Sequence, residues 1–199
     1  MLASLQQINL IFEGCRAANP APHCSGIDRD GYMWTKLDKW LFCYLLHWSR
    51  EWGLTSLAKR VSRSGDGPIY VGLGVSLLVF HPQGAGFFNQ LLWGFAIELP
   101  LYLGLKHSLR RPRPCHALLE LKFSFEPADK FSLPSGHTAA AFMVASFIAV
   151  TFPFLNPWVF IWASAIGWSR IALGVHYPLD IIAGMALGLG SASVVLCWL

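Results

Sequence analysis

The sequence predicts an all-α fold: a polytopic bundle of five membrane-spanning helices, or six, with an amphipathic helix at the membrane interface on its N-terminal side. Three observations carry that prediction. Hydrophobic residues make up 54% of the 199 and charged residues 13%, with a mean hydropathy of +0.46, a balance too apolar for a soluble domain with an ordinary polar surface. Five apolar runs of helix length follow one another from residue 69 to the C-terminus, and in lipid each must be helical, because only a helix satisfies its own backbone there. The 15 Lys and Arg residues are absent from the short connections on one side of those runs, which carry only His81.

Residues 1–36 mix Pro, Gly and Asp and read as an irregular cap or loose tail without chemistry of its own. Cys15, His23 and Cys24 are the nearest approach to a metal-ligand group there, but they lack repeated ligand spacing. Five scattered cysteines with no Cys-x-x-Cys argue against a disulfide framework and a structural zinc site. The opening stretch has no basic start and holds Gln6, Gln7 and Asn9, unlike a secretory signal.

From Leu37 onward, Leu37, Trp40, Leu41, Tyr44, Leu45, Trp48 and Trp52 recur at helical spacing, with Asp38, Lys39, Arg50 and Glu51 interrupting the polar side. This is an amphipathic helix lying on the membrane, its tryptophans at headgroup depth. The rival reading makes 37–57 a sixth span, which requires burying Arg50 and Glu51 at about 3 kcal/mol each unless they pair. Ser64-Gly65-Asp66-Gly67-Pro68 is a turn into a helix start. The chain therefore divides into 1–67, tail and interfacial helix, and 68–199, the spanning core.

The apolar runs are 69–80, 85–105, 138–152, 158–173 and 179–199, the first of them short for a bilayer core of about 30 Å. Because direction alternates, the end of the second run at Lys106, the start of the third at His137, the end of the fourth at Arg170 and the start of the fifth at Pro178 all reach one membrane face. Three polar constellations converge there. Polar groups at a membrane boundary are expensive enough to need a functional reason.

The first is Lys106-His107-Ser108-Leu109-Arg110-Arg111-Pro112-Arg113-Pro114. Its cations suit an anion or lipid headgroups, and Pro112 and Pro114 end the helix and fix the backbone, which favours directed binding. The second is Ser132-Leu133-Pro134-Ser135-Gly136-His137-Thr138, where Ser135 is an N-cap candidate, Gly136 permits close backbone approach and the free amides of a helix start form an anion cradle. Read alone, it is more often a simple helix start. The third runs from Trp168 to Asp180: Pro178 opens a helix, His176 lies just before it and Asp180 falls in its first turn, so imidazole and carboxylate meet. An Asp at one ring nitrogen leaves the other as nucleophile or base, and Arg170 offers a fork for an oxyanion.

Together, Lys-x6-Arg-Pro at 106–114, Pro-Ser-Gly-His at 134–137 and Ser-Arg-x5-His-x3-Asp at 169–180 resemble, in residue, spacing and order, the tripartite signature of the type 2 phosphatidic acid phosphatase superfamily. The resemblance runs from about Gly67 to the C-terminus. It implies that Lys106, Arg113, Ser135, Gly136 and Arg170 bind a phosphoryl group, that His176 attacks phosphorus to form a phosphohistidine, that Asp180 orients His176 and that His137 protonates the leaving oxygen. It implies no metal and no cofactor, a lipid phosphate or diphosphate as substrate, and membrane lipids but no nucleic acid as partners. Undecaprenyl diphosphate ranks ahead of phosphatidylglycerophosphate and phosphatidate. A phosphotransferase that passes the group to another lipid is the variant within the same chemistry. A non-enzymatic lipid-phosphate binder or transporter has use for the cations but not for a nucleophile with its Asp and a second His. A haloperoxidase, from a soluble branch of the superfamily, does not need five membrane-length runs.

His107, Arg110 and Arg111 lie outside the three patterns and read as flanking contacts to the site or to headgroups. Glu98, inside the second run, is either a functional acid or a structural one beside Pro100. The loop 115–133, with Phe123, Phe125 and Phe131, is placed to lid the site or to dip into lipid. The expected location is the cell membrane, the inner one in a bacterium, with the site at one membrane–water interface. Positive charge favours a cytoplasmic site and the resemblance an outward one, so the side stays open.

Overall fold

The structure is a computed structural model that describes residues 33–114 and 130–198, with side chains from residue 37. The Cys15, His23 and Cys24 group, and Phe123 and Phe125 of the expected lid, lie outside the described residues. Those described form helices without a strand: α1 (Met33–Glu51), α2 (Thr55–Arg63), α3 (Gly67–Phe80), α4 (Gly84–Leu109), α5 (Gly136–Thr151), α6 (Asn156–Ala172) and α7 (Pro178–Trp198), with a 3-10 turn at Pro153–Leu155. Each of the five apolar runs is a helix within a few residues of its expected bounds.

Two boundaries differ for local reasons. The amphipathic stretch is broken in two, because Gly53 takes a left-handed φ of 61° and turns the chain between α1 and α2. The second run continues a turn past Lys106 and stops at Arg110, also left-handed at φ 46°, whose N–H bonds Lys106 O at 3.2 Å. Lys106 thus stands in the last turn of α4, and Pro112 and Pro114 follow the stop rather than cause it.

The bundle is organised around α5, whose residues from Thr138 to Ala145 are all buried. Its closest neighbour is α7, and what brings them together is missing side chains. A Cβ on Gly188 would stand 2.1 Å from Ala139 O, and one on Gly184 2.5 Å from Ser135 O. This small-xxx-small spacing lets two parallel backbones touch where hydrophobic driving force between helices is weak. On the other sides, Gly94 of α4 packs on Phe147 and Met143 of α5, and Gly167 of α6 admits Ile181 of α7. The main core cluster is Tyr70, Phe87, Leu91, Met143, Val144, Phe147 and Val195.

The outside is apolar: Val71, Val79, Phe80, Trp93, Trp158, Ile161 and Ile182 are all exposed, more apolar surface than a soluble monomer shows. Among the described residues α7 is the one helix long and apolar enough by itself to cross a membrane, and α3 and α5 are shorter apolar helices. Helix α1 exposes Leu37 and Trp48, with Trp52 exposed just past its end, but buries Phe42 and Leu46 against Ile171 and Tyr177. Asp38, expected on its polar side, is buried there too. Helix α2 packs along α6, with Ala58 beside Ala172, Leu173 and Val175 and with Ile166 pressed against Gly65.

Gly188→Leu should therefore separate α5 from α7, costing roughly 3 kcal/mol or more as an overpacked contact. It should lower the melting temperature in detergent, whereas Gly190→Ala, where a Cβ meets nothing within 4 Å, should leave it unchanged. Equal melting of the two variants would mean that the α5–α7 contact does not hold the bundle.

Candidate active site

The α6–α7 connection builds the first half of the site. Gly174, at φ 77°, turns the chain out of α6, and Val175 N–H returns to Arg170 O at 3.1 Å. Proline at 178 then starts α7 with no N–H to lose. Asp180, three residues after Tyr177, reaches back with Oδ2 to accept Tyr177 N–H at 2.8 Å, the acidic half of a capping box. That bond leaves Oδ2 3.6 Å from His176 Nδ1, just beyond hydrogen-bond reach.

The other ring nitrogen of His176 faces a cation: Arg113 Nη1 lies 3.3 Å from Nε2 and donates to Val175 O at 3.0 Å. A guanidinium has donors only, so Nε2 presents its lone pair and the ring proton is assigned to Nδ1, toward Asp180. Burial is the main influence on His176, and Arg113 and Arg170 add to it while Asp180 opposes, moving its pKa down to about 4. The imidazole is neutral at physiological pH.

Backbone pairing docks the first constellation on the second. Pro112 bridges Phe131, and Ser132 N–H bonds Arg111 O at 2.8 Å, so Arg113 enters the protein beside the start of α5. Lys106 bonds the Tyr102 hydroxyl and lies 4.6 Å from the centroid of that ring. The ring rests on Gly136, where a Cβ would stand 3.0 Å from its Cε2 and Cζ. Gly136 thus serves close approach, as expected, but to an aromatic ring. Arg170 Nη1 donates to Ser62 Oγ of α2 at 2.6 Å.

Ser135 occupies the N-cap position of α5, but its side chain does not cap; its Oγ accepts from Thr138 Oγ1 at 2.9 Å, and its N–H bonds Asp180 O at 3.0 Å. The first-turn amides of α5 have no acceptor within their own helix. His137, at the more open edge, places Nε2 3.0 Å from Asp66 Oδ1.

Lys106, Arg113, Ser135, Arg170, His176 and Asp180 are thus buried together at one end of the bundle, with Gly136 and His137 beside them. His107 and Arg110 stay exposed and bond their own helix end, His107 Nδ1 with Leu103 O at 2.8 Å and Arg110 Nε to His107 O at 2.9 Å. Arg111 instead turns inward, Nη1 donating to Asp180 Oδ1 at 2.8 Å and Nη2 to Asp38 Oδ2. Burial opposes its charge, but Asp180 and Asp38 outweigh burial and raise its pKa. Among the described residues no three His, Cys, Asp or Glu side chains are grouped to hold a metal. Glu98 is buried inside α4, eight positions before Lys106.

Asp38, Ser62, Asp66 and Tyr102 escape sequence reasoning. The partners of Ser62 and Asp66 are 108 and 71 positions away, and no local spacing encodes such pairings. Tyr102 alone carries a signal, being one helical turn before Lys106.

Residues 87–199 match the PAP2 superfamily. The chain is 40% identical over 90 residues to a lipid A 1-phosphatase of Rhizobium etli, covering 42% of this chain and 38% of that one. It therefore spans about two fifths of that relative's length. With an undecaprenyl-diphosphatase of Sulfolobus acidocaldarius it shares 31% identity over 155 residues, 72% of this chain and 70% of the other. A transmembrane PAP2-type phosphatidylglycerolphosphate phosphatase from Bacillus subtilis has the same fold, with a TM-score of 0.66 at 22% identity over 96% of this chain and 94% of that one. That fold and the apolar outside make this a membrane protein.

The neutral state of His176 has a consequence for stability. Its folded pKa, about 4, lies below its unfolded value of about 6.5, so between those limits the unfolded chain binds a proton that the native one refuses. Stability falls as pH drops through that window. The melting temperature in detergent should fall less between pH 7 and about pH 4.5 in His176→Asn than in the unsubstituted protein; equal falls would show that His176 is not held neutral.

Proposed function

Because the chain belongs to the PAP2 superfamily, we propose that it is a multi-pass membrane phosphatase that hydrolyses a lipid phosphate or diphosphate through a phosphohistidine on His176. The observation that carries this reading is the pairing of a neutral, buried imidazole with a cation at Nε2 and a carboxylate near Nδ1. A phosphoryl group entering among Lys106, Arg113, Arg170 and the first amides of α5 meets donors already fixed in place, which favours the charge distribution of the transition state.

In the first step the Nε2 lone pair attacks phosphorus, the N–P bond forms and the P–O bond to the leaving group breaks. The leaving oxygen takes a proton from His137. The ring, still protonated at Nδ1, is now cationic and faces Asp180. In the second step water attacks phosphorus, neutral His137 takes a proton from it, the N–P bond breaks and inorganic phosphate leaves with His176 neutral again. Asp66 at 3.0 Å holds the His137 ring at the mouth of the site. Helix α1 and the turn after it rest the exposed Leu37, Trp48 and Trp52 in the interface.

Undecaprenyl diphosphate is the proposed substrate, supported by the undecaprenyl-diphosphatase that aligns along 72% of this chain. The 40% identity with a lipid A 1-phosphatase favours a second reading, in which the phosphate sits on a saccharide lipid. Assay of the purified protein on undecaprenyl diphosphate, phosphatidylglycerophosphate, phosphatidate and lipid A ranks these by kcat/KM. Hydrolysis should persist in excess EDTA and be inhibited by vanadate. Hydrolysis of none of the four would sink the proposal, as would full loss on chelation restored by a divalent ion.

The histidines should separate by leaving group. His176→Ala should abolish hydrolysis of every substrate. His137→Ala should be about 10² to 10⁴-fold slower on a lipid monoester, the usual worth of a general acid, yet much less impaired on p-nitrophenyl phosphate, whose leaving group needs no proton. The reverse pattern would exchange the two roles. Arg170→Lys keeps the charge but loses the fork and should slow the reaction by the equivalent of about 2 to 4 kcal/mol.

A further inference from the structure

Arg111 belongs to none of the three motifs, yet it is the centre of the buried charge network. One nitrogen of its fork bonds Asp180 Oδ1 at 2.8 Å and the other bonds Asp38 Oδ2. Its plane covers the Tyr177 ring at 4.3 Å from the centroid. Asp38, carried by α1, spends its remaining oxygen on Leu179 N–H at 2.9 Å. One cation and one distant carboxylate thus grip Tyr177, Leu179 and Asp180, the three residues that follow His176 apart from Pro178.

Resting on the reading of His176 as nucleophile, we propose that Arg111 and Asp38 are positioning residues for the reaction, holding the Asp180 carboxylate so that its second oxygen faces His176 Nδ1. Three observations support it. The carboxylate of Asp180 has two oxygens: Arg111 donates to Oδ1, and Oδ2, which accepts Tyr177 N–H, lies 3.6 Å from His176 Nδ1. A planar fork with donors on two nitrogens can bridge two carboxylates in fixed directions, which an ammonium cannot do. Two carboxylates around one guanidinium leave one formal negative charge, the amount needed when His176 becomes cationic on forming the N–P bond. Asp38 supplies that excess. Without it Asp180 and Arg111 neutralise each other, and the developing imidazolium loses its counter-charge. On this account α1 is part of the catalytic end and not only a membrane anchor.

The test uses full-length protein in detergent on the best lipid substrate, with folded protein counted by its vanadate-dependent thermal shift. Asp38→Asn keeps the side chain's shape and an oxygen for Leu179 N–H, and leaves Arg111 with Asp180 as its counter-charge, so it should fold even if Arg111→Lys does not. Asp38→Asn and Arg111→Lys should each lower kcat by on the order of 10 to 10²-fold, the cost of misplacing a reacting group by about 1 Å, while KM stays within about 2-fold. The double variant should be no slower than the slower single one, since both act through one carboxylate. Rapid-quench trapping should show slower phosphoprotein formation, and Arg110→Gln, at an exposed position, should match the parent. Unchanged kcat in Asp38→Asn and Arg111→Lys, or effects that multiply, overturns the proposal. A parent that hydrolyses lipid without ever forming phosphoprotein refutes the nucleophile instead, and the kcat comparison still decides the positioning role.

Discussion

The Asp180 carboxylate is wholly buried, and its bonds run to separate parts of the chain: Oδ2 to Tyr177 N–H, Oδ1 to Arg111 beyond the end of α4, with His176 3.6 Å away. Its backbone carbonyl accepts Ser135 N–H at the start of α5. A buried carboxylate is tolerable only when hydrogen-bonded and charge-compensated, so its neighbours are not free to drift. All three constellations are therefore fixed relative to one residue, and the four helices that carry them must meet at that end of the bundle.

Helix packing delivers the same alignment from the lipid side. The contact of Gly184 and Gly188 with Ser135 and Ala139 sets the axial register of α7 against α5, and a shift of one turn would move Asp180 about 5 Å from Ser135. Small residues in the apolar part of the bundle thus control distances in the polar part. Membrane helices gain little from burying apolar surface against one another, so close backbone contact is one of the few ways such a register can be held.

Each of three cations at the candidate site donates to an uncharged oxygen: Arg170 to Ser62 Oγ, Arg113 to the Val175 carbonyl and Lys106 to the Tyr102 hydroxyl. A bond to a neutral oxygen orients a guanidinium or ammonium without itself adding a counter-charge. Ser62 and Asp66 come from the α2–α3 corner and Asp38 from α1, so these N-terminal elements also reach the end of the bundle that holds the candidate site.

The sequence by itself determined the helices, their order and their polarity. Apolar runs of fixed length have no alternative in lipid but to be helical, and alternation of direction then brings Lys106, His137, Arg170 and His176 to one end. It also determined the candidate chemistry, because each motif is short and its residues are neighbours in the chain. What the tertiary structure decided was who touches whom. The burial of Asp38, the inward turn of Arg111 beside outward Arg110, and the pairing of Asp66 with His137 each depend on the packing of elements tens of residues apart. Arg110 and Arg111 are identical side chains one position apart; only the left-handed turn at Arg110, and the two aspartates waiting on other helices, make one a surface group and the other the bridge between two buried carboxylates.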